Sequence, residues 1–240
     1  MAIETSPAHQ PHTAASLISR PSAAGVLSVL LLVATWTMLT VAHAEKLLPT
    51  SEVAASPSRV RNGEVWLLVT SGLLVQRPIA LSLVSFVVLA LLVVIVCGPK
   101  VLWLSAIIGH VFSTVIAYGL LAAVRLADHT AYASLQHSPD YGVSAIAAAW
   151  LGAIACSAWL LRGSSLRGKA AVVMSCAAVA LFAWMVERHV QHHLTFLDSE
   201  HVFAFALGVL VVRNPWSMSP HARLTRFGTS TVADTDSGRA

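Results

Sequence analysis

Two residues of this sequence have the chemistry of a serine hydrolase and lie in apolar surroundings. Ser144 stands near the start of one apolar stretch, residues 142–161, and His201 near the start of another, Ser199–Arg213. A serine becomes a nucleophile when a base lies within hydrogen-bond distance, and neutral histidine has a suitable pKa for that role. Ser144 and His201 are therefore candidates for a serine–histidine dyad.

Acyl transfer also needs donors for the developing oxyanion. The first turn of a helix leaves backbone N–H groups without intrahelical partners, so the amino end of the Ser144 helix, beside Gly142 and Val143, is the predicted source. No cofactor is expected for this chemistry. The bland alternative is that Ser144 only packs or hydrogen-bonds between membrane helices, as serines in such helices commonly do.

His110 is a second polar residue inside an apolar stretch, residues 101–124. An ionisable group in the middle of a membrane is costly and should have a partner. The expectation is a neutral imidazole that is hydrogen-bonded to Ser105, Ser113 or a neighbouring backbone carbonyl.

A histidine cluster, His-x-x-His-His, offers a metal-dependent alternative. It consists of His189, His192 and His193, and such boxes ligate iron in membrane oxidases. A complete site needs several boxes, whereas the other histidines are isolated in the sequence. We therefore expect a pH-responsive external loop and no metal site.

The two apolar stretches that carry Ser144 and His201 have small residues at helical spacing. Positions three and four apart share one face of a helix, and small side chains there let two helices approach closely. The predicted packing faces consist of Ser144, Ala148, Gly152 and Cys156 on one helix, and of His201, Ala204 and Gly208 on the other. Leucine at Gly152 should separate the helices, whereas leucine at Ala149, which lies off this face, should be milder.

The amino-acid composition indicates that this protein lies in a membrane. Of its 240 residues, 56% are apolar and 11% are charged, which indicates a polytopic membrane protein. The formal net charge is +4, but the basic residues are scattered over loops and tails. That distribution fits membrane topology and argues against a nucleic-acid partner.

Six stretches are predicted to cross the membrane. They are Ala23–Ala44, residues 79–97, 101–124, 142–161 and 170–186, and Ser199–Arg213. The tails and the second and fourth connections carry nine basic and three acidic residues, against six and eight on the other side. Both termini are therefore predicted to be cytoplasmic, with the protein in the cell membrane.

The predicted membrane domain covers residues 23–213, between disordered tails at residues 1–22 and 214–240. Ala42-His43-Ala44 also fits a signal-peptidase site. An uncleaved first helix is favoured because its apolar region and its leading tail are both long.

Three motifs resemble those of the rhomboid intramembrane serine proteases. Gly142-x-Ser144 opens the fourth predicted span, and His201 precedes Gly208 by seven residues in the sixth. Residues 66–72, Trp-Leu-Leu-Val-Thr-Ser-Gly, are similar to the family's Arg-Leu-x-Thr-Ser signature after the first helix. The resemblance implies an all-α, six-helix bundle with Ser144 as nucleophile and His201 as general base.

The chain departs from the family's pattern at two places. Ala145 follows the serine where rhomboids usually have glycine, and the His-x-x-x-Asn of their second helix has no counterpart there. The nearest pattern is His110-x-x-x-Thr114, in the third span. Two functions are left open by the resemblance: a peptidase that cleaves transmembrane substrates near the external leaflet, and an inactive relative that binds membrane helices as clients.

Overall fold

The computed structural model describes residues 22–75, 79–140, 142–160 and 199–214 of the chain, and the regular elements within these ranges are helical. In chain order they are α1 (Ala23–Ala44), α2 (Thr50–Val53), α3 (Pro57–Arg61), α4 (Leu67–Thr70), a 3-10 turn (Ser71–Leu73), α5 (Ile79–Val96), α6 (Pro99–Ala127), α7 (His129–Leu135), α8 (Ser144–Leu160) and α9 (Ser199–Arg213). The span predicted at residues 170–186 and nearly all of the two predicted tails lie outside the described residues.

Three of these helices are long and apolar enough to cross a membrane: Ala23–Ala44, Ile79–Val96 and Pro99–Leu126. Large apolar side chains on their outer faces, such as Leu27, Leu30, Leu81 and Val84, are exposed, as lipid-facing residues would be. α8 is apolar but shorter, and its 17 residues extend over about 26 Å. The prediction of an all-α membrane protein is confirmed at this level.

Local sequence explains how α5 turns directly into α6. Gly98 has a φ of 91°, a left-handed conformation that glycine adopts without steric cost, and Pro99 supplies the first residue of α6. The helices therefore run antiparallel with a minimal connection. α6 begins two residues earlier and ends three residues later than predicted, because the proline at its start and Arg125 near its end are both accommodated within the helix.

α8 and α9 both run antiparallel to α6. Near one end of the bundle, Trp150 of α8 donates from Nε1 to the carbonyl of Leu102 at 3.0 Å. Near the other end, Tyr118 of α6 donates to Asp140, just before α8, and Thr114 of α6 bonds to Glu200 of α9. Further along α9, the carbonyl oxygen of Ala204 lies 3.8 Å from where a Cβ on Gly109 would be, so α9 also runs opposite to α6. Two helices that are each antiparallel to a third are parallel to each other, so α8 and α9 begin at the same end of the bundle.

The core between α1, α5 and α8 is built on aromatic side chains. Trp36 of α1 is fully buried, and its ring centroid lies 5.9 Å from that of Trp150 and 5.8 Å from that of Phe86. Gly25 brings α1 close to α5, since a Cβ there would lie 2.4 Å from Val94 Cγ1. α1 is therefore an integral part of the packed bundle.

The connection between α1 and α5 contains three short helices and a 3-10 turn within its described residues, 45–75. Ser56 caps α3 by accepting a hydrogen bond from the N–H of Arg59, and Pro57 occupies the first helical position. Arg59 binds Glu64 and the carbonyls of Ser51 and Ala54. This segment, residues 50–75, packs on the chain before α8, where Ala55 and Asp140 exchange two backbone hydrogen bonds of 2.9 and 2.8 Å.

Candidate active site

Ser144 and His201 lie on helices that begin together at one end of the bundle. Ser144 is the first residue of α8 and His201 the third of α9, and both side chains are half-buried. Because the two helices are parallel, their first turns lie at the same end. The dyad itself stays a prediction.

The contact between α8 and α9 is made backbone to backbone. A Cβ on Gly152 would lie 2.1 Å from the carbonyl oxygen of Phe205, and one on Gly208 would lie 1.9 Å from that of Ala149. Both glycines therefore allow an approach that a methyl group would prevent. Among the glycines of the described residues, these two are the ones whose nearest neighbours would be backbone atoms of another helix.

The small-residue face of α8 is rotated from the one predicted. Ala149 is fully buried in a cluster with Ala145 and Ala204, whereas Ala148 is only partly buried at its edge. The reason given for expecting leucine at Ala149 to be milder than leucine at Gly152 was wrong, because Ala149 does not lie off the packed surface but also contacts Gly109 of α6 closely. The comparison of the two variants itself stays a prediction. The helix is packed on two neighbours, so more than one stripe is buried.

A carboxylate lies buried in the bundle at this end. Glu200, in the first turn of α9, is 4% exposed, although the charge count above assigned it to an external connection. Its Oε1 lies 2.5 Å from the hydroxyl of Thr114 and 3.2 Å from that of Ser113. Both hydroxyls are also within hydrogen-bond distance of the carbonyl of His110, so α6 presents a compact group of polar atoms to Glu200.

His110 lies between this carboxylate and the segment before α5. Its Nδ1 is 3.5 Å from Glu200 Oε1, and its Nε2 is 3.1 Å from Ser71 Oγ. The expected side-chain partners were wrong, because neither serine bonds to the imidazole ring. Ser105 bonds to the carbonyl of Val101, and Ser113 lies within hydrogen-bond distance of the His110 carbonyl and of Glu200. A carboxylate beside Nδ1 favours a proton on that nitrogen, which leaves Nε2 to accept the hydrogen bond from Ser71.

We call these five residues, Ser71, His110, Ser113, Thr114 and Glu200, the buried polar cluster. Each has less than one tenth of its surface exposed. They come from three separate parts of the chain, the 3-10 turn, α6 and α9. Buried polar groups are costly unless they are paired, and here each hydroxyl or carboxylate has a partner within the cluster.

Two glycines allow the cluster to form. A Cβ on Gly72 would lie 2.6 Å from the imidazole Cδ2 of His110, so the 3-10 turn can rest on the ring only with glycine there. Gly142 has a φ of 131°, and its N–H donates to the carbonyl of Ser71 at 2.8 Å. The glycine of the Gly-x-Ser motif is thus required by its backbone conformation, and its N–H is already used.

Asp140 is held beside this site by the turn before α8. Its side chain accepts a hydrogen bond of 3.1 Å from Tyr118, and its backbone pairs with Ala55. Burial raises the pKa of Asp140 well above its ordinary value, and the negative charge of Glu200 raises it further. The proton-bearing form of Asp140 is therefore favoured in the folded protein.

Sequence reasoning singled out His110 and Thr114 but missed Ser71 and Glu200. A signal for Glu200 was present, because a histidine inside a membrane helix requires a partner and Glu200 is the one acidic residue within the six predicted spans. Ser71 is the serine of the rhomboid-like motif at residues 66–72, and that motif by itself assigns it no partner. Neither side chain could be paired with His110 before the helices were packed.

Metal ligation has no candidate in the described part of the chain. Groups of three or more histidine, cysteine, aspartate or glutamate side chains suited to an ion are absent from residues 22–75, 79–140, 142–160 and 199–214. His189, His192 and His193 lie outside these ranges. The metal-dependent alternative therefore stays untested.

Comparison of the chain with known protein families, with curated proteins and with solved structures finds no match.

Proposed function

We propose that this protein is a rhomboid-like intramembrane serine peptidase. Ser144 is the nucleophile and His201 the general base in this proposal, and the substrates are transmembrane proteins cut near the external leaflet. The proposal includes six membrane spans in the cell membrane, with both termini in the cytoplasm and the Ser144 end of α8 facing outward. It rests on the Gly-x-Ser and histidine motifs together with the packing of the helices that carry them.

The observation that carries the proposal is the parallel, backbone-to-backbone contact of α8 and α9. A dyad requires its two side chains at equal depth, and helices that start at the same end and touch at Gly152 and Gly208 meet this requirement. If α8 and α9 were antiparallel, Ser144 and His201 would lie at opposite ends of the bundle.

In the proposed reaction, Ser144 Oγ attacks the scissile carbonyl as its proton moves to His201. The oxyanion then needs N–H donors in the first turn of α8. The N–H of Gly142 already bonds to Ser71, so Val143 and the residues after it are the backbone donors that remain. His201 returns the proton to the leaving amine, and water completes hydrolysis of the acyl-enzyme by the reverse path.

Labelling with a fluorophosphonate probe tests this function most directly. Wild-type protein should be labelled and should cleave a transmembrane substrate in proteoliposomes, whereas Ser144→Ala and His201→Ala should each lose both activities. Members of one catalytic unit are not additive, so the double variant should be no worse than either single one. Ser157→Ala is the control, because Ser157 lies at the far end of α8 beside Cys97.

Persistent labelling in Ser144→Ala would contradict the proposed nucleophile. His192→Ala and His193→Ala should cleave normally, whereas a metal-dependent oxidase built on the cluster of His189, His192 and His193 would lose its function in these variants and in chelator.

One observation favours a second function, the binding of membrane helices without cleavage. His110 and Thr114 are the nearest match to the side-chain oxyanion donors implied by the resemblance, and both are buried and bonded within the polar cluster. In that case a transmembrane helix should be captured equally well by wild type and Ser144→Ala, and wild type should never cleave it.

A further inference from the structure

The buried polar cluster connects the two segments that carry the proposed dyad. Glu200 immediately precedes His201 in the first turn of α9, and it bonds to Thr114 and faces His110 on α6. His110 bonds to Ser71, and the backbone carbonyl of Ser71 accepts the N–H of Gly142, two residues before Ser144. A continuous set of contacts therefore runs from the turn before Ser144 to the residue before His201.

We infer that Ser71, His110, Thr114 and Glu200 are positioning residues, which hold the Gly142–Ser144 turn in register with the first turn of α9. This inference rests on the proposed function, because it assigns the cluster a role in aligning Ser144 with His201. None of the four residues is given a part in bond making or breaking.

The cost of burying these polar groups favours a role in positioning over a role in stabilising the fold. A carboxylate and an imidazole inside a membrane bundle are expensive to bury, and well-packed apolar side chains would stabilise the same contact at least as well. Apolar contacts depend little on orientation, whereas a hydrogen bond is strong only near its preferred distance and angle. A polar cluster at this position therefore restricts how the turn and α9 are aligned.

The geometry supports a restraint from two sides. On one side, Ser71 and Gly142 are joined by a backbone hydrogen bond of 2.8 Å. On the other, Ala55 and Asp140 are joined by two such bonds. Backbone hydrogen bonds at Asp140 and at Gly142 thus hold the turn before Ser144 against residues 50–75. The side chains of the buried polar cluster connect the same segment to α9 through α6.

Isosteric variants separate alignment from folding. Thr114→Val keeps the shape of the side chain and removes the hydroxyl that binds Glu200, whereas Thr114→Ser keeps the hydroxyl. Glu200→Gln removes the charge, and Ser71→Ala removes the contact with His110. Ser105→Ala is the matched control, because Ser105 is a buried hydroxyl of α6 that bonds only to carbonyls of its own helix.

The first readout is the rate of fluorophosphonate labelling, normalised to folded protein. Small misalignment of reacting groups costs up to about 100-fold in rate, so we expect Thr114→Val, Glu200→Gln and Ser71→Ala to be slower by about 10- to 100-fold. In substrate cleavage the loss should appear in kcat, with KM little changed. Thr114→Ser should recover most of the rate, and Ser105→Ala should equal wild type.

The second readout needs no activity. Ser144→Cys and His201→Cys, introduced together after replacing the native cysteines, are joined by a short bifunctional thiol reagent. We expect the cross-linking rate to fall by several-fold when Thr114→Val or Glu200→Gln is added, and not when Ser105→Ala is added.

The two readouts distinguish failure of this inference from failure of the proposed function. Wild-type protein that is never labelled at Ser144 removes the peptidase, and cross-linking still decides whether the cluster aligns the two turns. Folded Thr114→Val with wild-type labelling and cross-linking rates would overturn the positioning role, even if Glu200→Gln does not fold. Equal slowing in Thr114→Val and Thr114→Ser would also overturn it.

Discussion

Glu200 and Asp140 show how strongly the meaning of an acidic residue depends on its neighbours. Both were counted as external charges in the sequence, but at the same end of the bundle Glu200 is buried and Asp140 is half-buried. Glu200 is surrounded by hydroxyls and the edge of an imidazole, whereas Asp140 has the hydroxyl of Tyr118. Each acid therefore has a hydrogen-bond donor that compensates part of its burial.

The raised pKa of Asp140 predicts a pH-dependent stability. A carboxyl whose pKa is higher in the folded state binds more protons there than in the unfolded chain, so its contribution to the free energy of unfolding is fully present below about pH 4 and is lost as pH rises through the folded-state pKa. Asp140→Asn keeps an acceptor for Tyr118 and cannot titrate. Its thermal unfolding temperature in detergent should therefore depend less on pH than that of wild type.

The comparison to make is the difference between wild type and Asp140→Asn from pH 4 to pH 8. Parallel pH profiles for the two proteins would contradict the raised pKa. Asp128→Asn serves as a control, because Asp128 caps the start of α7 at an exposed position, where its side chain binds the N–H of Thr130.

The helices meet through glycine at some positions and through large side chains at others. Trp36 and Trp150 fill the space between α1 and α8, whereas Gly208 and Gly152 remove the space between α8 and α9. In a membrane the hydrophobic effect contributes little to helix association, because lipid is as apolar as the side chains. Close van der Waals contact therefore supplies much of the free energy that holds the helices together. The residues of the proposed dyad lie on the two helices that meet backbone to backbone at these glycines.

Gly208→Ala tests that contact. A methyl group there would lie 1.9 Å from the carbonyl oxygen of Ala149, so α8 and α9 must move apart, at a cost of roughly 1 to 3 kcal/mol. Gly119→Ala is the matched control, because its Cβ would meet nothing within 4 Å. That variant should be neutral or slightly stabilising, since alanine favours a helix by up to about 1 kcal/mol over glycine.

Thermal unfolding of the purified variants in detergent measures both effects. Equal unfolding temperatures for Gly208→Ala and wild type would remove the argument for backbone-to-backbone packing.

The two ends of α6 have different surroundings. At one end, Gly98 connects α6 to α5, close to Lys100, and at the other end the polar segments at residues 50–75 and 128–140 pack together. In those segments Ser58 bonds to His137, and Arg61 bonds to Tyr132. The polar side chains are thus concentrated at the end where Ser144 lies.

Topology reporters test this arrangement across a membrane. The positive-inside rule predicts that Gly98 is cytoplasmic and His137 external. Green fluorescent protein fused after Gly98 should fluoresce, and alkaline phosphatase fused after His137 should be active, with the exchanged fusions silent. The same reporter active after both residues would contradict a membrane crossing by α6.

The sequence by itself determined the membrane class and, within three residues, the bounds of the long helices that the structure describes. α1 and α9 begin and end where the apolar runs do, and α5 differs by one residue, because a continuous apolar stretch must satisfy its backbone hydrogen bonds within one helix. The short helices of residues 50–75 were not predicted. Local signals such as Ser56-Pro57 were present, but elements of four or five residues depend on what they pack against.

Only the tertiary structure decided which polar residues meet. Ser71 and His110 are 39 residues apart, and Thr114 and Glu200 are 86 apart, so nothing in local pattern or periodicity relates them. The small-residue stripes predicted that α8 and α9 would touch, but the rotation that buries Ala149 instead of Ala148 depends on α6 as a third neighbour. Hydropathy specifies how a helix lies in the membrane, whereas its rotation and its hydrogen-bond partners are set by side chains distant in sequence.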